Sequence, residues 1–453
     1  MVNQNPPAVI LAAGRGERLS GGESHPPKPL VPLLGLTLLE RVILSCRAAG
    51  VREVLVVVGF RREEIQLRFP EWQRHYDISI RAVENPSWPE GNGTSVLACA
   101  PYLASSFLVL MGDHLVEPSA VSRVIEEGVD EEACYLLVDH RVDLVFDRQD
   151  ATRVHVFEGH ITAIGKGLKP YNGIDTGVFL CRPLLFDALK GAQRAGDGSL
   201  SGGIARLAEQ GKMRAVPLGQ RFWLDVDTPK ALKHGRKALL RQAVKTDEDG
   251  FVAKWLNRRL SVRISARLLA RPATARLSPT AISVAGFLVV LLGAILFVIT
   301  GYAAALIAGV CVQLGSILDG CDGEIARLTF GTSRFGAWLD TLLDRYGDAA
   351  LAAGITVGFW RGHPSPWVFL GGMVALTGFL LASYTKKEYA LRYGKSIPVG
   401  IWTKLIKRDL RLFGLFLGAV IGYPYIALLF LGLLSHAGIG RLAWAASRRT
   451  RPT

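Results

Sequence analysis

The sequence feature that most limits the fold is a stretch without any charged side chain, which extends from residue 277 to residue 318. Inside a bilayer the backbone N–H and C=O groups have to be satisfied within the chain, so an apolar stretch of this kind forms helices. About 20 apolar residues cross the hydrocarbon core, and Thr300 and Gly301 interrupt the stretch near its middle. The sequence therefore predicts two transmembrane helices that meet at this pair.

Further apolar stretches predict the rest of a polytopic membrane domain. A third span is expected at 337–359 and a fourth at 367–384, and the charge-free stretch 412–440 fits one long span or two short ones that break at Gly422. Basic residues concentrate beside the spans, at 254–276, 386–411 and 441–451. Because Lys and Arg are enriched in cytoplasmic loops, we predict six spans, with the N-terminal domain and the C-terminus in the cytoplasm.

The first half of the chain has the pattern of a soluble α/β domain. Short apolar runs at 8–12, 54–58, 107–111 and 134–138 read as buried strands and alternate with helical patterns. We predict a Rossmann-like, mostly parallel mixed sheet, fused to an all-α membrane domain. The predicted boundaries are 1–240 for the soluble domain, 241–276 for a charged linker (245–250) and an interfacial amphipathic helix (251–271), and 277–453 for the membrane domain.

The net charge of +14 leaves three kinds of partner open, namely nucleic acid, an anionic membrane surface and phosphorylated substrates. The basic residues lie beside the apolar spans, which favours membrane topology and argues against nucleic acid. The six cysteines are scattered without a C-x-x-C pair. We therefore expect reduced thiols that bind no metal.

Four aspartates follow the charge-free stretch at helical spacing. Asp319 and Asp322 are three residues apart, and Asp340 and Asp344 are four apart, so each pair shares one face of a helix. Carboxylates that cluster at the edge of a membrane require cations. An all-oxygen set suits Mg²⁺ or Mn²⁺, which in turn would hold a diphosphate. The alternative, four solvated aspartates on an amphipathic helix pair, requires all these positions to coincide by chance.

With Gly323, Ala326, Arg327 and Gly336, this spacing matches the signature of the CDP-alcohol phosphotransferase family, which the second half of the chain resembles. The resemblance implies that Asp319, Asp322 and Asp340 bind metal and help to hold the donor diphosphate. It also implies that Asp344 contributes to metal binding or acts as base on the acceptor hydroxyl, that Gly323 and Arg327 contact the donor nucleotide, and that Gly336 permits close helix packing. Four cations at 386–411 are candidates for binding a phosphorylated acceptor or, more simply, for anchoring the loop in the cytoplasm: Lys404, Lys407, Arg408 and Arg411.

The soluble half carries a glycine-rich loop directly after its first predicted strand. Gly14 and Gly16 allow the backbone to approach phosphates closely, while Arg15, Arg18 and Lys28 supply positive charge. The loop lacks the Gly-Lys-Ser/Thr of a Walker A motif and the third glycine of a Rossmann fingerprint. Further along the chain an aspartate, Asp113, ends an apolar run, which is where ligand sites lie in open α/β sheets.

Together with Lys28-Pro29-Leu30, Gly91–Ser95, Asn172–Gly177 and Trp223-Leu224-Asp225, this loop resembles the sugar-phosphate nucleotidyltransferase family. The resemblance implies that Asp113 binds the metal with Asp225, for which Asp227 is the adjacent alternative; either could instead cap the helix expected after Thr228. It implies that Lys28 pairs with the incoming phosphate and Arg18 with the nucleotide triphosphate. The nucleotide-binding candidates are Leu11, Ala12, Gly14, Arg15, Gly16, Gly91, Gly93, Thr94 and Ser95. The acceptor candidates are Asn172, Gly173, Asp175 and Gly177, of which the glycines could be turn residues only.

With its two domains in this order, the chain resembles the family of bifunctional inositol-1-phosphate cytidylyltransferases and di-myo-inositol-phosphate-phosphate synthases. That resemblance implies that CTP and an alcohol phosphate give a CDP-alcohol in the first domain, and that the membrane domain consumes it. Mg²⁺ or Mn²⁺ in both domains, a lipid bilayer and a homodimer through the membrane half are expected as well. Two alternatives stay open: a phospholipid synthase with a lipid donor or acceptor, and a membrane-anchored nucleotide sensor without catalysis, which need not keep both motif sets.

Overall fold

The structure is a computed structural model that describes residues 5–20, 26–244, 250–275, 277–393 and 401–449. Contacts divide the chain into two compact units, Met1–Ala238 and Leu239–Thr453, which are described one after the other. The charged linker predicted at 245–250 lies outside the described residues, apart from Gly250.

The first unit alternates strands and helices along the chain. Its strands are β1 Ala8–Ala12, β2 Pro32–Leu33, β3 Leu36–Thr37, β4 Glu53–Val58, β5 Ser79–Glu84, β6 Phe107–Met111, β7 His114–Val116, β8 Cys134–Asp139, β9 Arg153–Phe157, β10 His160–Gly165, β11 Gly173–Cys181, β12 Met213–Pro217 and β13 Trp223–Asp225. Its helices are α1 Glu17–Ser20, α2 Leu38–Ala48, α3 Arg62–Gln66, α4 Phe69–Tyr76, α5 Asn92–Leu97, α6 Pro118–Glu127, α7 Leu184–Arg194, α8 Leu200–Glu209 and α9 Pro229–Gln242, which runs past the boundary between the units. The predicted α/β alternation is confirmed.

A nine-stranded mixed sheet forms the centre of this unit, in the order β5-β4-β1-β6-β11-β8-β12-β10-β9. The strands β5, β4, β1 and β6 are parallel, whereas β11 is antiparallel to both β6 and β8. Alternate residues of a strand face opposite sides of a sheet. In β1, Ile10 accordingly packs with the apolar sides of α2, α4 and α6, and Val9 packs with those of α5, α7 and α8. The sheet is therefore buried on both faces, which explains the uninterrupted apolar runs in the sequence.

The carboxyl ends of β1 and β6 meet at one edge of this sheet, because the two strands are parallel neighbours with Leu11 opposite Met111. The glycine-rich loop follows β1 and Asp113 follows β6, so the topology brings these two segments together. The strand β7, which follows β6 directly, belongs to a separate two-stranded sheet. It pairs antiparallel with β13, and this pairing places His114 opposite Asp225.

The second unit is helical. After a π-helical turn at Ala253–Asn257 its helices are α10 Arg258–Ala270, α11 Pro272–Ala275, α12 Pro279–Val298, α13 Tyr302–Leu328, α14 Arg334–Gly362, α15 Pro366–Tyr393, α16 Ile401–Leu405, α17 Arg408–Val420 and α18 Pro424–Arg449. The break predicted at Thr300 and Gly301 separates α12 from α13, and the break predicted at Gly422 separates α17 from α18.

Four of these helices are long and apolar enough to cross a membrane, namely α12, α13, α15 and the segment Pro424–Ser447 of α18. Helix α14 is long but carries several charged residues, and α17 has only 13 residues, so the predicted count of six spans is not confirmed. The predicted basic loop at 386–411 is also different in the structure. Helix α15 continues to Tyr393 and α17 begins at Arg408, so most of its described residues are helical.

The helix α10 is attached to α13 by polar contacts with a buried carboxylate. Glu324 is 1% exposed. It accepts hydrogen bonds from the hydroxyl groups of Ser261 at 2.5 Å and Ser265 at 2.8 Å, and it pairs with Arg258 at 3.3 Å. A buried carboxylate is tolerated only when its oxygens are hydrogen-bonded and its charge is balanced. These contacts therefore fix α10 against α13.

Replacement of Glu324 tests this attachment. We expect Glu324→Ala to lower the free energy of unfolding by about 2 kcal/mol, because the two serine hydroxyls and the guanidinium lose a buried partner. Thermal unfolding in detergent, followed by circular dichroism, measures the effect as a lower Tm.

The matched control is Glu388→Ala on α15. Glu388 pairs with Arg392, whose side chain is 74% exposed, and a surface pair of this kind contributes about 0–1 kcal/mol. If Glu324→Ala and Glu388→Ala unfold at the same temperature, the buried attachment of α10 has no energetic weight.

Candidate functional site

The glycine-rich loop of the first unit is shaped around Lys28. Gly16 has a φ of +64°, and a Cβ on it would lie 2.4 Å from the Cβ of Lys28. Gly14, by contrast, has no described residue within 4 Å of the position of its missing Cβ. Leu11 and Ala12 are the last residues of β1 and lead into the loop. The described part of the loop therefore passes over the stem of Lys28, and of its two glycines Gly16 is the one needed for that passage.

Lys28 is a buried cation between two carboxylates. Its side chain is 7% exposed, and its ammonium group pairs with Asp113 and with Asp227. Burial alone would lower the pKa of Lys28, but the charges of Asp113 and Asp227 outweigh burial, and the pKa lies above its usual value. Lys28 is therefore charged at neutral pH and neutralises the site.

Asp113, His114 and Asp225 form a cluster beside this lysine. Each offers one ligand atom, and these atoms all lie within 4.8 Å of one another. The Nε2 atom of His114 is 3.7 Å from Asp113 Oδ1 and 3.5 Å from Asp225 Oδ1. The sequence left Asp225 and Asp227 as alternatives. In the structure Asp225 joins Asp113, whereas Asp227 faces Lys28 and Arg18.

The surroundings of this cluster change the protonation of its members. Burial raises the pKa of Asp175 to about 6. Burial also raises the pKa of Asp225, although the neighbouring His114 lowers it in part. Burial opposes a charge on His114, but the carboxylates of Asp225 and Asp113 outweigh burial and raise its pKa. The position between Asp113 and Asp225 therefore favours a positive charge.

The motif at 91–95 is packed tightly within the unit. A Cβ on Gly91, where φ is +128°, would lie 2.5 Å from the carbonyl oxygen of Gly198. The amide of Gly93 donates to that same oxygen at 2.9 Å. The buried amide of Asn85 donates to the hydroxyls of Thr94 at 3.0 Å and Ser95 at 2.9 Å. The packing of this segment against the backbone at residue 198 thus requires both Gly91 and Gly93. Asn85 fixes the hydroxyl groups of Thr94 and Ser95.

The four acceptor candidates fall into two places. The side chain of Asn172 bonds both backbone groups of Val156 at 2.8 Å, and Gly173 is packed against Val138, so these two residues secure strand pairing. Asp175 accepts a hydrogen bond from the amide of Gly177 at 2.7 Å. A Cβ on Gly177 would lie 2.6 Å from the ring of His114. Only Asp175 and Gly177 thus lie beside the cluster.

The two loop arginines have different neighbours. Arg18 is half-exposed and pairs with Asp150 and Asp227. Arg15 pairs with Glu17 at 3.1 Å and lies over the ring of Phe60. Their predicted contacts with a nucleotide remain predictions.

In the second unit, three of the four motif aspartates come together. Asp319, Asp340 and Asp344 each offer an oxygen, and these oxygens all lie within 4.8 Å of one another. Asp322 is outside this group. Its carboxylate accepts hydrogen bonds from Ser283 on α12 and from the amide of Gly323. Three of the four predicted carboxylates therefore meet closely, and the role of Asp322 as a metal ligand remains a prediction.

Arg408 supplies an internal positive charge to this cluster. It pairs with Asp344 at 2.5 Å, with Asp319 at 3.2 Å and with Asp348 at 3.2 Å. Asp348 is 2% exposed and also pairs with Arg411 at 3.3 Å. Two of the four cations nominated for an acceptor thus contact carboxylates of the chain itself. Clustered carboxylates require such neutralisation in a poorly solvated place.

The other motif residues of this unit have structural contacts. Arg327 donates from Nε to the carbonyl oxygen of Ala243 at 2.5 Å. The amide of Gly336 donates to the hydroxyl of Ser333 at 2.9 Å, at the first turn of α14. Their expected contacts with a donor nucleotide or a neighbouring helix remain predictions.

Both clusters have donor sets suited to a divalent cation. In the first unit, the atom Asp225 Oδ1 is buried and has no hydrogen-bond partner among the described residues, so it is free to be a ligand. In the second unit, Asp319, Asp340 and Asp344 offer oxygen only, which suits Mg²⁺ or Mn²⁺.

Sequence reasoning missed three residues of these sites. His114 directly follows Asp113, but its place depends on the pairing of β7 with β13, which the sequence did not reveal. Asp348 continues the four-residue spacing of Asp340 and Asp344, so periodicity alone could have identified it. Ser283 lies in the charge-free stretch, where no spacing distinguishes it.

Two family descriptions match the chain. The MobA-like NTP transferase domain matches residues 8–285, and CDP-alcohol phosphatidyltransferase matches residues 276–439. Together they extend over both units and both acidic clusters.

Relatives with both parts match nearly the whole chain. It is 38% identical to the bifunctional IPC transferase and DIPP synthase of Rubrobacter xylanophilus, over 97% of this chain and 96% of that protein. It is 30% identical to the protein of that name from Aquifex aeolicus, over 95% of each chain. Among solved structures, the inositol-1-phosphate CTP transferase from T. maritima is 27% identical and covers 52% of this chain and 95% of its own, with a TM-score of 0.46.

The loop glycines yield a testable contrast. We expect Gly16→Ala to destabilise the protein by about 1–2 kcal/mol from its left-handed backbone alone, and to displace Lys28, against which the new Cβ would lie. The measurements are the Tm of the purified protein and its affinity for CTP.

Gly14→Ala is the control from the same loop, because no atom of the described residues lies within 4 Å of its added Cβ. We expect its Tm to remain within about 1 °C of the unsubstituted protein, since surface substitutions change stability little. Equal losses of Tm in the two variants would contradict the proposed contact between the loop and Lys28.

Proposed function

The chain belongs to the family of bifunctional IPC transferases and DIPP synthases, and on this basis we propose two coupled reactions. The first unit joins CTP to inositol 1-phosphate and releases pyrophosphate. The second unit transfers the phosphoinositol group of the resulting CDP-inositol to inositol phosphate and releases CMP. The observation that carries the proposal is that each unit has its own acidic cluster with a cation of the chain paired to it.

In the first reaction, a phosphate oxygen of the alcohol phosphate attacks the α-phosphorus of CTP in line with the departing pyrophosphate. The attacking oxygen is already an anion, so no strong base is required. Catalysis then depends on orientation and charge neutralisation. Lys28 is suited to this task because it is buried, charged and fixed between Asp113 and Asp227. Arg18, at the edge of the same site, is placed to bind the triphosphate.

The nucleotide lies, in this proposal, along the loop between β1 and Lys28 and beside the segment 91–95. The exposed backbone at Gly14 leaves room for phosphates. Asp175 and Gly177 lie next to His114 and form the side of the site that receives the alcohol phosphate. Asn172 and Gly173 support this region through strand pairing.

In the second reaction, a hydroxyl oxygen of the acceptor attacks the phosphorus that carries the alcohol. The proton of that hydroxyl leaves to a base, and CMP departs with the bond to the nucleotide. In this proposal Asp344 is the base; together with Asp319 and Asp340 it lines the cavity shared by α12, α13, α14 and α17. Asp322, Gly323 and Arg327 contact the donor nucleotide in this proposal.

The acceptor phosphate requires positive charge near this cavity. Arg408 lines it, and Arg411 has two guanidinium nitrogens, Nε and Nη1, without hydrogen-bond partners among the described residues. Lys404 and Lys407 precede them on the chain. These cations support a phosphorylated acceptor over an uncharged one.

Divalent metal supplies positive charge for the di- and triphosphates when it is bound. In the first unit Asp113 and Asp225 are its proposed ligands, and in the second unit Asp319, Asp340 and Asp344, with Asp322 as a neighbour that contacts the donor. Mg²⁺ and Mn²⁺ both suit carboxylate oxygens.

We place the second unit across the cell membrane with six spans. Helix α17 is about 20 Å long at 1.5 Å per residue, which is shorter than the hydrocarbon core of about 30 Å. It packs between α13 and α18, and burial within the bundle allows a short helix to cross. The proposed domain limits are 1–240, 241–276 and 277–453, and the membrane domain is also the proposed interface of a homodimer.

A reciprocal pair of variants tests the two reactions. Lys28→Met keeps the apolar stem and removes the charge, so we expect at least about 100-fold slower release of pyrophosphate from CTP and inositol 1-phosphate. Added CDP-inositol should still be consumed. Asp340→Ala should show the reverse: pyrophosphate is released at the normal rate and CDP-inositol accumulates. Products are identified by mass.

If Lys28→Met and Asp340→Ala each stop both reactions, the two sites do not act separately. A product that partitions into organic solvent would instead support a phospholipid synthase. Binding of CTP without turnover of any alcohol phosphate by the unsubstituted protein would support a nucleotide sensor.

The six-span arrangement predicts which positions an impermeant thiol reagent reaches in intact cells. Ser365→Cys, between α14 and α15, should be labelled. Lys395→Cys and Arg449→Cys should be labelled only after the cells are permeabilised. The six native cysteines are buried and give a low background. Labelling of Arg449→Cys in intact cells would require five spans.

A further inference from the structure

His114 has an orientation that strand pairing alone does not explain. The residue is 9% exposed, and its Nδ1 lies 2.9 Å from the carbonyl oxygen of Thr176. A carbonyl oxygen only accepts hydrogen bonds, so Nδ1 carries a hydrogen. In the neutral ring Nε2 then has a free lone pair. That lone pair faces Asp113 and Asp225.

A lone pair that faces two carboxylates is repelled unless a cation lies between them. A proton on Nε2 is one such cation, but it would hydrogen-bond, and N–H···O bonds have N···O distances of about 2.7–3.2 Å. The observed distances from Nε2 are 3.5 Å to Asp225 and 3.7 Å to Asp113. The buried oxygen Asp225 Oδ1 also lacks a hydrogen-bond partner among the described residues.

The same distances suit a shared metal ion. Two atoms that each lie about 2.1 Å from one ion are about 3.0–3.4 Å apart at octahedral and tetrahedral angles. Small movements of the carboxylates would close the remaining difference. The bond from Nδ1 to a backbone carbonyl is also the usual second contact of a metal-binding histidine, because it fixes both the tautomer and the direction of the ring.

The fold holds the imidazole in this position from two sides. The pairing of β7 with β13 sets His114 opposite Asp225. Gly177 has a φ of +72°, and a Cβ there would lie 2.6 Å from the ring of His114. The glycine therefore makes room for the ring at the point where Asp175 and Thr176 approach it.

We propose that His114 is a nitrogen ligand of the divalent ion in the first unit, together with Asp113 and Asp225. This inference deepens the proposed function, since the ion is the one that neutralises the nucleotide phosphates there. Imidazole nitrogen suits Mn²⁺ and Co²⁺ better than Mg²⁺. The two units thus differ in metal chemistry, because Asp319, Asp340 and Asp344 offer oxygen alone.

Electron spin echo envelope modulation of Mn²⁺ tests this assignment on the full-length, tag-free protein without nucleotide. Nitrogen-14 of a bound imidazole modulates the manganese echo, whereas carboxylate ligands do not. We expect nitrogen modulation in the unsubstituted protein and its loss in His114→Asn. Asparagine keeps an N–H group for Thr176 but lacks the second nitrogen, and an unchanged Tm will show that the fold is preserved. The affinity of this site for Mn²⁺ should fall by about 10- to 100-fold.

The matched control is His140→Asn. His140 makes the same kind of contact, from Nδ1 to the carbonyl oxygen of Asn172 at 2.8 Å, but it is exposed and outside the cluster. We expect His140→Asn to keep the nitrogen modulation. Modulation that persists in His114→Asn, disappears in His140→Asn, or is absent when Mn²⁺ is bound to the unsubstituted protein would overturn the assignment.

Release of pyrophosphate from CTP, measured on the same samples, separates this inference from the proposed function. Nitrogen modulation that depends on His114, without pyrophosphate release from any alcohol phosphate, would support the ligand and refute the reaction. Pyrophosphate release without nitrogen modulation would support the reaction and refute the ligand.

Discussion

The structure depends on neutralising carboxylates that the fold brings close together. Lys28 pairs with Asp113 and Asp227 in the first unit, and Arg408 pairs with Asp319 and Asp344 in the second. In both, one cation of the chain pairs with more than one carboxylate of the site. Each site therefore keeps a positive charge of its own. A divalent ion can bind the carboxylates beside this charge, and a phosphorylated substrate can then pair with the cations.

The sequence predicted the fold wherever a repeated physical pattern was present. Apolar runs located the strands of the doubly covered sheet, and the absence of charge located α12 and α13 with the break between them. The membrane count was harder to predict. Helix α14 carries several charged residues, so its composition does not identify it as a membrane span. Helix α17 ends at the break before α18 and has only 13 residues, which is short for a span. Hydropathy records the composition of a segment, but bundle packing decides whether a short or charged helix is shielded from lipid.

The candidate sites, like the fold, could be predicted from the sequence only where a regular spacing was present. Spacing along one helix predicted that Asp340 and Asp344 share a face, and extending it by one turn reaches Asp348. Contacts between distant segments could not be predicted in this way. Asp322 lies one turn from Asp319, yet its carboxylate accepts a hydrogen bond from Ser283 on another helix. His114 meets Asp225 only because two short strands pair.

Some motif residues are required by packing in addition to any role with a ligand. Gly91 and Gly93 are pressed against the backbone at 198, and the hydroxyls of Thr94 and Ser95 are held by Asn85. A motif match in this segment therefore indicates the fold of the nucleotidyltransferase site as much as its contacts. Gly16 is similar, because its positive φ makes room for Lys28.

Helix α13 shows how such packing can set the geometry of a reaction site. Asp319 faces the cavity, whereas Glu324 lies about 140° around the helix, at 100° per residue, and is bound by Ser261 and Ser265 of α10. Rotation of α13 about its axis would strip Glu324 of its buried partners. A cost of about 1–3 kcal/mol for each unsatisfied buried group opposes that rotation. The face of α13 that carries Glu324 therefore fixes the direction of the carboxylates, although Glu324 itself does not line the cavity.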